Sequence, residues 1–242
     1  MTVLLLAGTS EAQQIAQSLS EQGISAIASL AGATRAPRDI GIPTRIGGFG
    51  GAAGFRKFLS ENSISAVLDA THPFAARISH RSAEICAHLG LPYCQVLRPC
   101  WTQEPGDQWT HIQDEAEAAL HINPGETVFL ATGRQTLDRF ENLSQCRLIC
   151  RQIDPPDRPF PFANGAFLVG RPPFPVEDEK ELFTRLGIDW LVVKNAGGAA
   201  SKTKLTAARE LGLRVAMIAR PEQPDAFRVE TVQQALHWAG SL

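Results

Sequence analysis

The sequence contains no long hydrophobic run. No stretch of about 18 apolar residues occurs among its 242 residues, so no transmembrane helix is predicted. The apolar run near the beginning of the chain is too short for a signal peptide, and no basic region precedes it. We therefore predict a cytoplasmic protein that has no membrane partner.

Cysteine is scarce, and its spacing is uninformative. None of the five cysteines forms a C-x-x-C pair, and no histidine stands near them at metal-ligand spacing. The sequence therefore predicts no metal site and reduced, mostly buried thiols at Cys86, Cys94, Cys100, Cys146 and Cys150.

An excess of charge of either sign is also missing. The chain carries 23 Lys and Arg against 25 Asp and Glu, and its net charge of −2 gives no overall field that would attract nucleic acid. Any anion-binding site must therefore be local. With 44% hydrophobic and 20% charged residues, the composition is that of a globular protein with one large or two small domains.

The dinucleotide fingerprint G-x-G-x-x-G is missing, although its context is present. An apolar run at residues 3–7 leads into Gly8, Thr9 and Ser10, and apolar residues at helical spacing follow to residue 19. These patterns predict a buried strand, a tight turn and a helix whose first N–H groups would face a phosphate. A plain structural turn in which Ser10 only caps the helix is the alternative, because two glycines of the fingerprint are absent.

A glycine-rich, locally basic segment follows the second predicted strand, which covers residues 25–30. Five basic residues and one acidic residue lie between positions 35 and 57. In a nucleotide-binding βαβ unit this segment lies beside the adenosine ribose, where Arg35 and Arg38 would suit a 2′-phosphate. They favour NADPH over NADH, with a solvated basic loop as the alternative.

Polar side chains end the next buried strand, predicted at residues 64–70. Thr71 and His72 stand at its carboxyl end, where ligands of open parallel sheets bind. A helix is predicted from Pro73, and Arg77 in its first turn is a candidate for reaching the ligand. A lone histidine is more often structural than catalytic, but its position in a loop favours function.

The second half of the chain repeats this layout after a domain boundary near residues 98–110. A predicted strand, the turn Thr132-Gly133-Arg134 and a helix at residues 135–142 match the opening of the chain. Residues 154–175 follow, and their seven prolines predict an irregular segment. Four phenylalanines favour an active-site wall or lid over a solvated linker.

Three lysines surround a later strand-helix junction. Lys194 ends a strand predicted at residues 190–193, and Lys202 and Lys204 lead into the next helix. Two glycines at positions 197 and 198 let the backbone approach a ligand, so the cluster predicts an anion site. The alternative is surface solvation, the commonest environment of lysine.

Seven motifs together resemble the precorrin-6A reductase family of cobalamin biosynthesis. They are LLLAGTSEA at residues 4–12, RIGGFGG at 45–51, DATHPFA at 69–75, RPCW at 98–101, TGR at 132–134, GRPPFPVEDE at 170–179 and KNAGG at 194–198. The resemblance implies two Rossmann-like domains with mainly parallel sheets and a ligand cleft between them. Residues 1–100 would bind a nicotinamide nucleotide and residues 101–242 the tetrapyrrole, with the last strand able to cross to the other sheet.

The resemblance further implies reduction of one C=C bond of precorrin-6A by NADPH, giving precorrin-6B, and a transient hand-over to the next pathway enzyme. Pro173 replaces an expected glycine, which bears only on loop geometry. His72 and Asp154 are the candidate proton donors, with water as a third. Candidate cofactor-binding residues are Gly8, Thr9, Ser10, Arg35, Arg38, Gly47, Gly48 and Thr71. Candidate anchors for the substrate carboxylates are Arg77, Arg98, Arg134, Lys194, Lys202 and Lys204.

Two other classes of function stay open. A cofactor-free, two-lobed tetrapyrrole lyase-type enzyme would use the basic residues of the second half but would not bind a nicotinamide nucleotide. A non-catalytic NADPH sensor would bind the nucleotide but would need neither the lysine cluster nor the aromatic segment at residues 154–175.

Overall fold

Two parallel sheets, each flanked by helices, confirm the predicted α/β class. A computed structural model describes residues 1–32 and 39–242. The chain divides into a first unit, Met1–Pro99 with Pro221–Leu242, and a second unit, Cys100–Arg220. None of the described helices combines the length and the apolarity that crossing a bilayer requires. All five cysteines are free thiols, and all but Cys100 are buried, as predicted.

The first unit begins with alternating strands and helices. Strands β1 and β4 are almost wholly buried because helices pack on both faces of the sheet, which explains their continuous apolar sequences. The elements are β1 (Thr2–Leu6), α1 (Ser10–Glu21), β2 (Ala26–Leu30), β3 (Thr44–Ile46), α2 (Gly51–Glu61), β4 (Ile64–Asp69), α3 (Ala76–Leu89) and β5 (Tyr93–Val96).

Two elements of the first unit differ from their predicted bounds. The glycine-rich segment after β2, predicted as a loop over residues 31–54, contains β3 and the beginning of α2. Helix α3 begins at Ala76, whereas Pro73 was predicted as a first helical position. Residues 72–75 form a separate turn, closed by a hydrogen bond from the Ala75 N–H to the His72 carbonyl oxygen at 2.7 Å.

The second unit contains the same kinds of element. They are β6 (Gln108–Ile112), β7 (Thr127–Leu130), β8 (Arg147–Gln152), β9 (Gly165–Val169), α4 (Val176–Leu186), β10 (Trp190–Lys194), α5 (Thr203–Glu210) and β11 (Arg214–Ile218). Strand β9 lies inside the proline-rich segment, which is therefore not irregular throughout. The helix predicted at residues 135–142 is a 3₁₀ segment, Arg134–Leu143, and Thr136 interrupts it with non-helical backbone angles.

Each sheet has six strands, and the two sheets share one spatial arrangement but differ in where the sixth strand comes in the chain. The orders are β6-β11-β10-β7-β8-β9 in the second unit and, in the first, the sixth strand β12 (Arg228–Val229) followed by β5-β4-β1-β2-β3. Every described strand pair is parallel. In chain order the strands of the first sheet read 3-2-1-4-5-6, the dinucleotide-binding order. In the second sheet β7 to β11 occupy the places of strands 1 to 5, and β6, the first strand of that unit, occupies the place of the sixth.

The last 22 residues belong to the first unit, whereas the predicted second domain comprised residues 101–242, with the last strand able to cross to the other sheet. Strand β12 pairs with β5 through hydrogen bonds from Gln95 N–H to Phe227 O (2.9 Å) and from Leu97 N–H to Val229 O (2.8 Å). Helix α6 (Val232–Gly240) then buries Ala235 and Ala239 in the same core as α1. Along the sequence, the sixth strand of the first sheet therefore comes after all six strands of the second sheet.

Candidate functional site

In the first unit, the strand order reverses between β1 and β4, and polar residues follow both strands. Thr9 is the N-cap of α1, because its hydroxyl accepts a hydrogen bond from Ala12 N–H at 3.1 Å. The same hydroxyl donates to the Ala70 carbonyl oxygen at 2.8 Å, which joins the two strand ends. Ser10 is the first residue of the helix, so the prediction that Ser10 caps it was wrong, and Thr9 is the cap.

Gly8 gives this turn its shape and its open space. Its φ of 138° lies in a region that side chains with a Cβ rarely adopt, and no atom lies within 4 Å of the position a Cβ would occupy. A ligand can therefore approach the backbone here, in front of the positive end of α1. The observed turn fits a phosphate group.

A fully buried carboxylate orders the end of β4. Asp69 Oδ1 accepts hydrogen bonds from Thr71 N–H (3.0 Å) and from the Thr71 hydroxyl (2.7 Å), and Oδ2 accepts from the Tyr93 hydroxyl (2.8 Å). Burial, together with the charge of Asp69, raises the pKa of Cys86 and of Cys94 to about 12 each. Asp69 therefore fixes Thr71 at the edge where β1 and β4 diverge, a role the sequence analysis missed.

Arg45 organises the glycine loop that follows β3. Its guanidinium donates to Ser29 Oγ and Gly47 O, both at 2.8 Å, and to Gly48 O at 3.0 Å, and it lies 4.1 Å from the centre of the Phe49 ring. Gly47 and Gly48 are thereby held beside the end of β2. The other predicted cations of this region, Arg35 and Arg38, lie outside the described residues.

The three remaining candidates of the first half have different surroundings. His72 is exposed, and its Nδ1 accepts a hydrogen bond from Phe74 N–H at 3.2 Å. Arg77 is exposed in the first turn of α3. Arg98 pairs with Glu11 of α1 at 2.8 Å, so this predicted substrate anchor contacts the helix of the Gly8 turn in the first unit.

In the second unit, the corresponding reversal lies between β7 and β10, and Lys194 ends β10. Its Nζ lies 3.3 Å from Glu115 Oε1 and donates to Thr132 O (3.4 Å) and Thr136 Oγ1 (3.3 Å). Arg139 contacts the other oxygen of Glu115 at 3.2 Å. Burial alone would raise the pKa of Glu115, but hydrogen bonds, including that from Thr136, and the charge of Lys194 outweigh burial and lower it.

The other predicted anchors of the second unit are not gathered around Lys194. Lys202 forms an ion pair with Glu104, which Arg209 also contacts. Lys204 donates to Ser201 O at 2.7 Å, and burial lowers its pKa to about 8. Arg134 lies 3.8 Å from Asp157 in an exposed pair.

The proline-rich segment contacts a buried ion pair that the sequence analysis missed. Arg151 of β8 forms a two-pronged pair with Glu179 of α4, with one contact at 2.8 Å. The guanidinium lies 4.7 Å from the centre of the Phe129 ring and 4.3 Å from that of Phe174. Asp154, the second candidate proton donor, lies 3.5 Å from Arg171.

Comparison with known proteins gives matches over nearly the full chain. The family model described as precorrin-6x reductase CbiJ/CobK matches residues 2–240. Precorrin-6A reductase of Rhodobacter capsulatus is 43% identical over 238 residues, which are 98% of this chain and 94% of the relative. Precorrin-6A reductase of Rhodococcus erythropolis is 42% identical over 243 residues, or 99% and 98% of the two chains.

A more distant relative and a solved structure extend these matches. Cobalt-precorrin-6A reductase of Priestia megaterium is 28% identical over 251 residues, covering 97% of this chain and 96% of the relative. A solved structure described as CobK precorrin-6A reductase is 41% identical and has a TM-score of 0.95, covering 100% of this chain and 96% of that chain.

Proposed function

The chain belongs to the precorrin-6x reductase CbiJ/CobK family, and we propose that it reduces precorrin-6A to precorrin-6B with NADPH as the hydride donor. The family predicted from the seven motifs is confirmed. The observation that carries the proposal is the full-length similarity to two precorrin-6A reductases at more than 40% identity. The metal-free substrate is preferred because the cobalt-precorrin-6A relative is only 28% identical.

The first unit is proposed to bind the nucleotide. NADPH supplies a hydride, and the protein's part is to bind and orient it. The backbone at Gly8 and the first N–H groups of α1 would hold a phosphate, while Thr71, fixed by Asp69, would contact the ligand at the neighbouring strand end. Arg45 presents Gly47 and Gly48 at the end of β2.

Specificity for NADPH is assigned to Arg35 and Arg38, as their sequence position predicts. Each charge-assisted contact to a 2′-phosphate contributes about 1.5–3 kcal/mol, which is roughly ten- to a hundredfold in affinity. Replacing both residues by alanine should lower the ratio of NADPH to NADH affinity at least tenfold. An unchanged ratio of the two affinities would show that Arg35 and Arg38 do not bind the 2′-phosphate.

The second unit is proposed to hold the carboxylates of the macrocycle. Lys194 and Arg139 both contact Glu115, which holds the two cations together, and such cations bind a substrate carboxylate through charge-assisted hydrogen bonds. The Thr132 hydroxyl beside them is buried and has no hydrogen-bond partner among the described residues, so it can bond to the substrate. Arg134, Lys202 and Lys204 of the same unit and Arg77 and Arg98 of the first unit remain proposed anchors.

The second carbon of the reduced bond needs a proton. We favour His72 over Asp154, because His72 is exposed beside the end of β4 and histidine is the residue that most often donates protons in enzyme sites. After reduction, the product would be handed over transiently to the next enzyme of the pathway.

The decisive experiment combines nucleotide titration with a reductase assay. Wild-type protein should bind NADPH, bind it more tightly with precorrin-6A present, and oxidise it as precorrin-6A is consumed. Lys194→Ala should raise the KM for precorrin-6A about tenfold or more, while Lys57→Ala, which removes an exposed lysine from a surface pair with Glu61, should not. No nucleotide binding would favour the lyase-type enzyme, and binding without turnover would favour the sensor.

A further inference from the structure

The loop that follows Lys194 has an unusual backbone. Ala196 N–H bonds back to Lys194 O at 2.6 Å, and Gly197 and Gly198 both have left-handed φ angles, 69° and 87°. Two successive glycines give such a loop conformational freedom. Its geometry, and with it the direction of Lys194, therefore depends on contacts from elsewhere in the unit.

Trp101 supplies three of these contacts. Its backbone N–H donates to Asn195 Oδ1 at 2.8 Å, its carbonyl accepts from Asn195 Nδ2 at 3.0 Å, and its indole N–H donates to Gly198 O at 2.9 Å. The indole ring is buried in the core of the second unit together with Ala196, Val193 and Leu205. The first and last residues of the loop are thus bonded to one residue that the core holds in place.

Arg220 supports the same loop from another strand end. Its guanidinium donates to Ala196 O at 3.0 Å and to Asn195 O at 3.3 Å. Trp101 and Arg220 lie one residue from the beginning and at the end of the second unit, Cys100–Arg220. The two segments by which the chain enters and leaves this unit therefore both bind the loop next to Lys194.

We propose that Trp101 is a positioning residue for substrate binding, which acts by holding residues 195–198 and thereby Lys194. The inference rests on the proposed function, because Lys194 is there assigned to a substrate carboxylate. It predicts that the indole N–H matters for the affinity of the macrocycle and not for that of the nucleotide, because the contacts of Trp101 described above all lie in the second unit.

Trp101→Phe tests this directly, because it removes the N–H and keeps an aromatic ring in the core. Trp109→Phe is the matched control, since the indole nitrogen of Trp109 is buried without a hydrogen-bond partner among the described residues. Loss of one hydrogen bond should raise the KM for precorrin-6A about three- to tenfold in Trp101→Phe. The KM for NADPH and the kcat should stay within about twofold, and Trp109→Phe should resemble wild type.

Amide hydrogen exchange provides a readout that does not depend on activity. Residues 195–198 should exchange faster in Trp101→Phe than in Trp109→Phe. If Trp101→Phe does not fold, Asn195→Asp replaces it, because this change puts an acceptor against the Trp101 carbonyl and should raise the same KM. Unchanged exchange of the loop, or an unchanged precorrin-6A KM in a folded variant, would overturn the inference. If the wild-type protein does not reduce precorrin-6A, the proposed function is refuted. Amide exchange of residues 195–198 would then still test whether Trp101 holds this loop.

Discussion

At the scale of single residues, the end of β4 depends on the carboxylate of Asp69. Asp69→Ala would leave one buried and two partly buried donors without this acceptor, so we expect the free energy of unfolding to fall by about 2–4 kcal/mol. Tyr93→Phe removes only one of these bonds and should cost about 1 kcal/mol. Urea denaturation of both variants measures the difference, and equal losses would mean that the bonds to Thr71 contribute nothing.

The burial of Lys204 makes the stability of the protein depend on pH and determines the direction of that dependence. Burial lowers its pKa in the folded state to about 8, below its ordinary value of 10.5. Between these values the unfolded chain binds more protons, so the free energy of unfolding rises with pH. Below pH 8 the half-buried charge costs stability in full.

The variant Lys204→Met isolates this contribution. Relative to the variant, the wild type should gain about 1–3 kcal/mol as the pH rises from 7 to 9.5. Urea denaturation at several pH values measures the gap between the two proteins. A gap that does not change with pH would show that Lys204 is charged throughout this range.

The sequence predicted the turn at Gly8 and the position of Lys194 at the end of a strand, because both stand next to strong strand patterns. The buried partners Glu115 and Glu179 were missed for a physical reason. Each carboxylate forms its ion pair with a cation far away in sequence, Glu115 with Lys194 and Glu179 with Arg151. Glu179, in the first turn of α4, otherwise has the pattern of an acidic residue that complements the helix dipole.

At the scale of elements, the glycines of RIGGFGG and its neighbour Gly54 have different roles. A Cβ at Gly54 would overlap the Phe49 carbonyl oxygen, so α2 and the loop before it approach as closely as only glycine allows. At Gly48 no atom lies within 4 Å of such a Cβ, and φ is not left-handed. Packing therefore requires glycine at position 54 but not at position 48.

Gly54→Ala should therefore destabilise the protein by about 3 kcal/mol, because the backbone of residue 49 cannot move without disturbing the Arg45 contacts. Gly48→Ala should change the free energy of unfolding by less than about 0.5 kcal/mol. Thermal or urea unfolding compares the two variants. Similar stabilities would contradict the close approach of α2 to the loop.

The central elements were the ones that the sequence predicted best. Strands β1, β4 and β10 lie inside their sheets, and burial on both faces imposes an apolar run that is readable without a structure. Strands β3, β6 and β9 were missed because edge strands are short or half exposed, and β9 follows several prolines. Their pairing depends on neighbours that the local sequence does not reveal.

At the scale of the whole molecule, the hardest feature to predict was the chain's return to its first sheet. The sequence analysis left open whether the last strand crosses, and β12 contributes only two residues to the pairing with β5. Helix α6 carries most of the attachment, because its alanines and Trp238 pack against the core that also contains α1. The sequence of a short amphipathic helix such as α6 does not indicate which sheet it covers.

Removing residues 221–242 should therefore unfold the first unit and spare the second. The deletion exposes the α1 side of the core and one edge of β5, a loss comparable to the roughly 5–15 kcal/mol that stabilises a typical domain. Hydrogen exchange should become fast in α1 and β5 and stay slow in β7 and β10, and NADPH binding should be lost. Deleting only Ser241 and Leu242, which follow α6 and are exposed, is the control. If α1 and β5 stay protected in the longer deletion, the first unit folds without the returning segment, and its core is complete within residues 1–99.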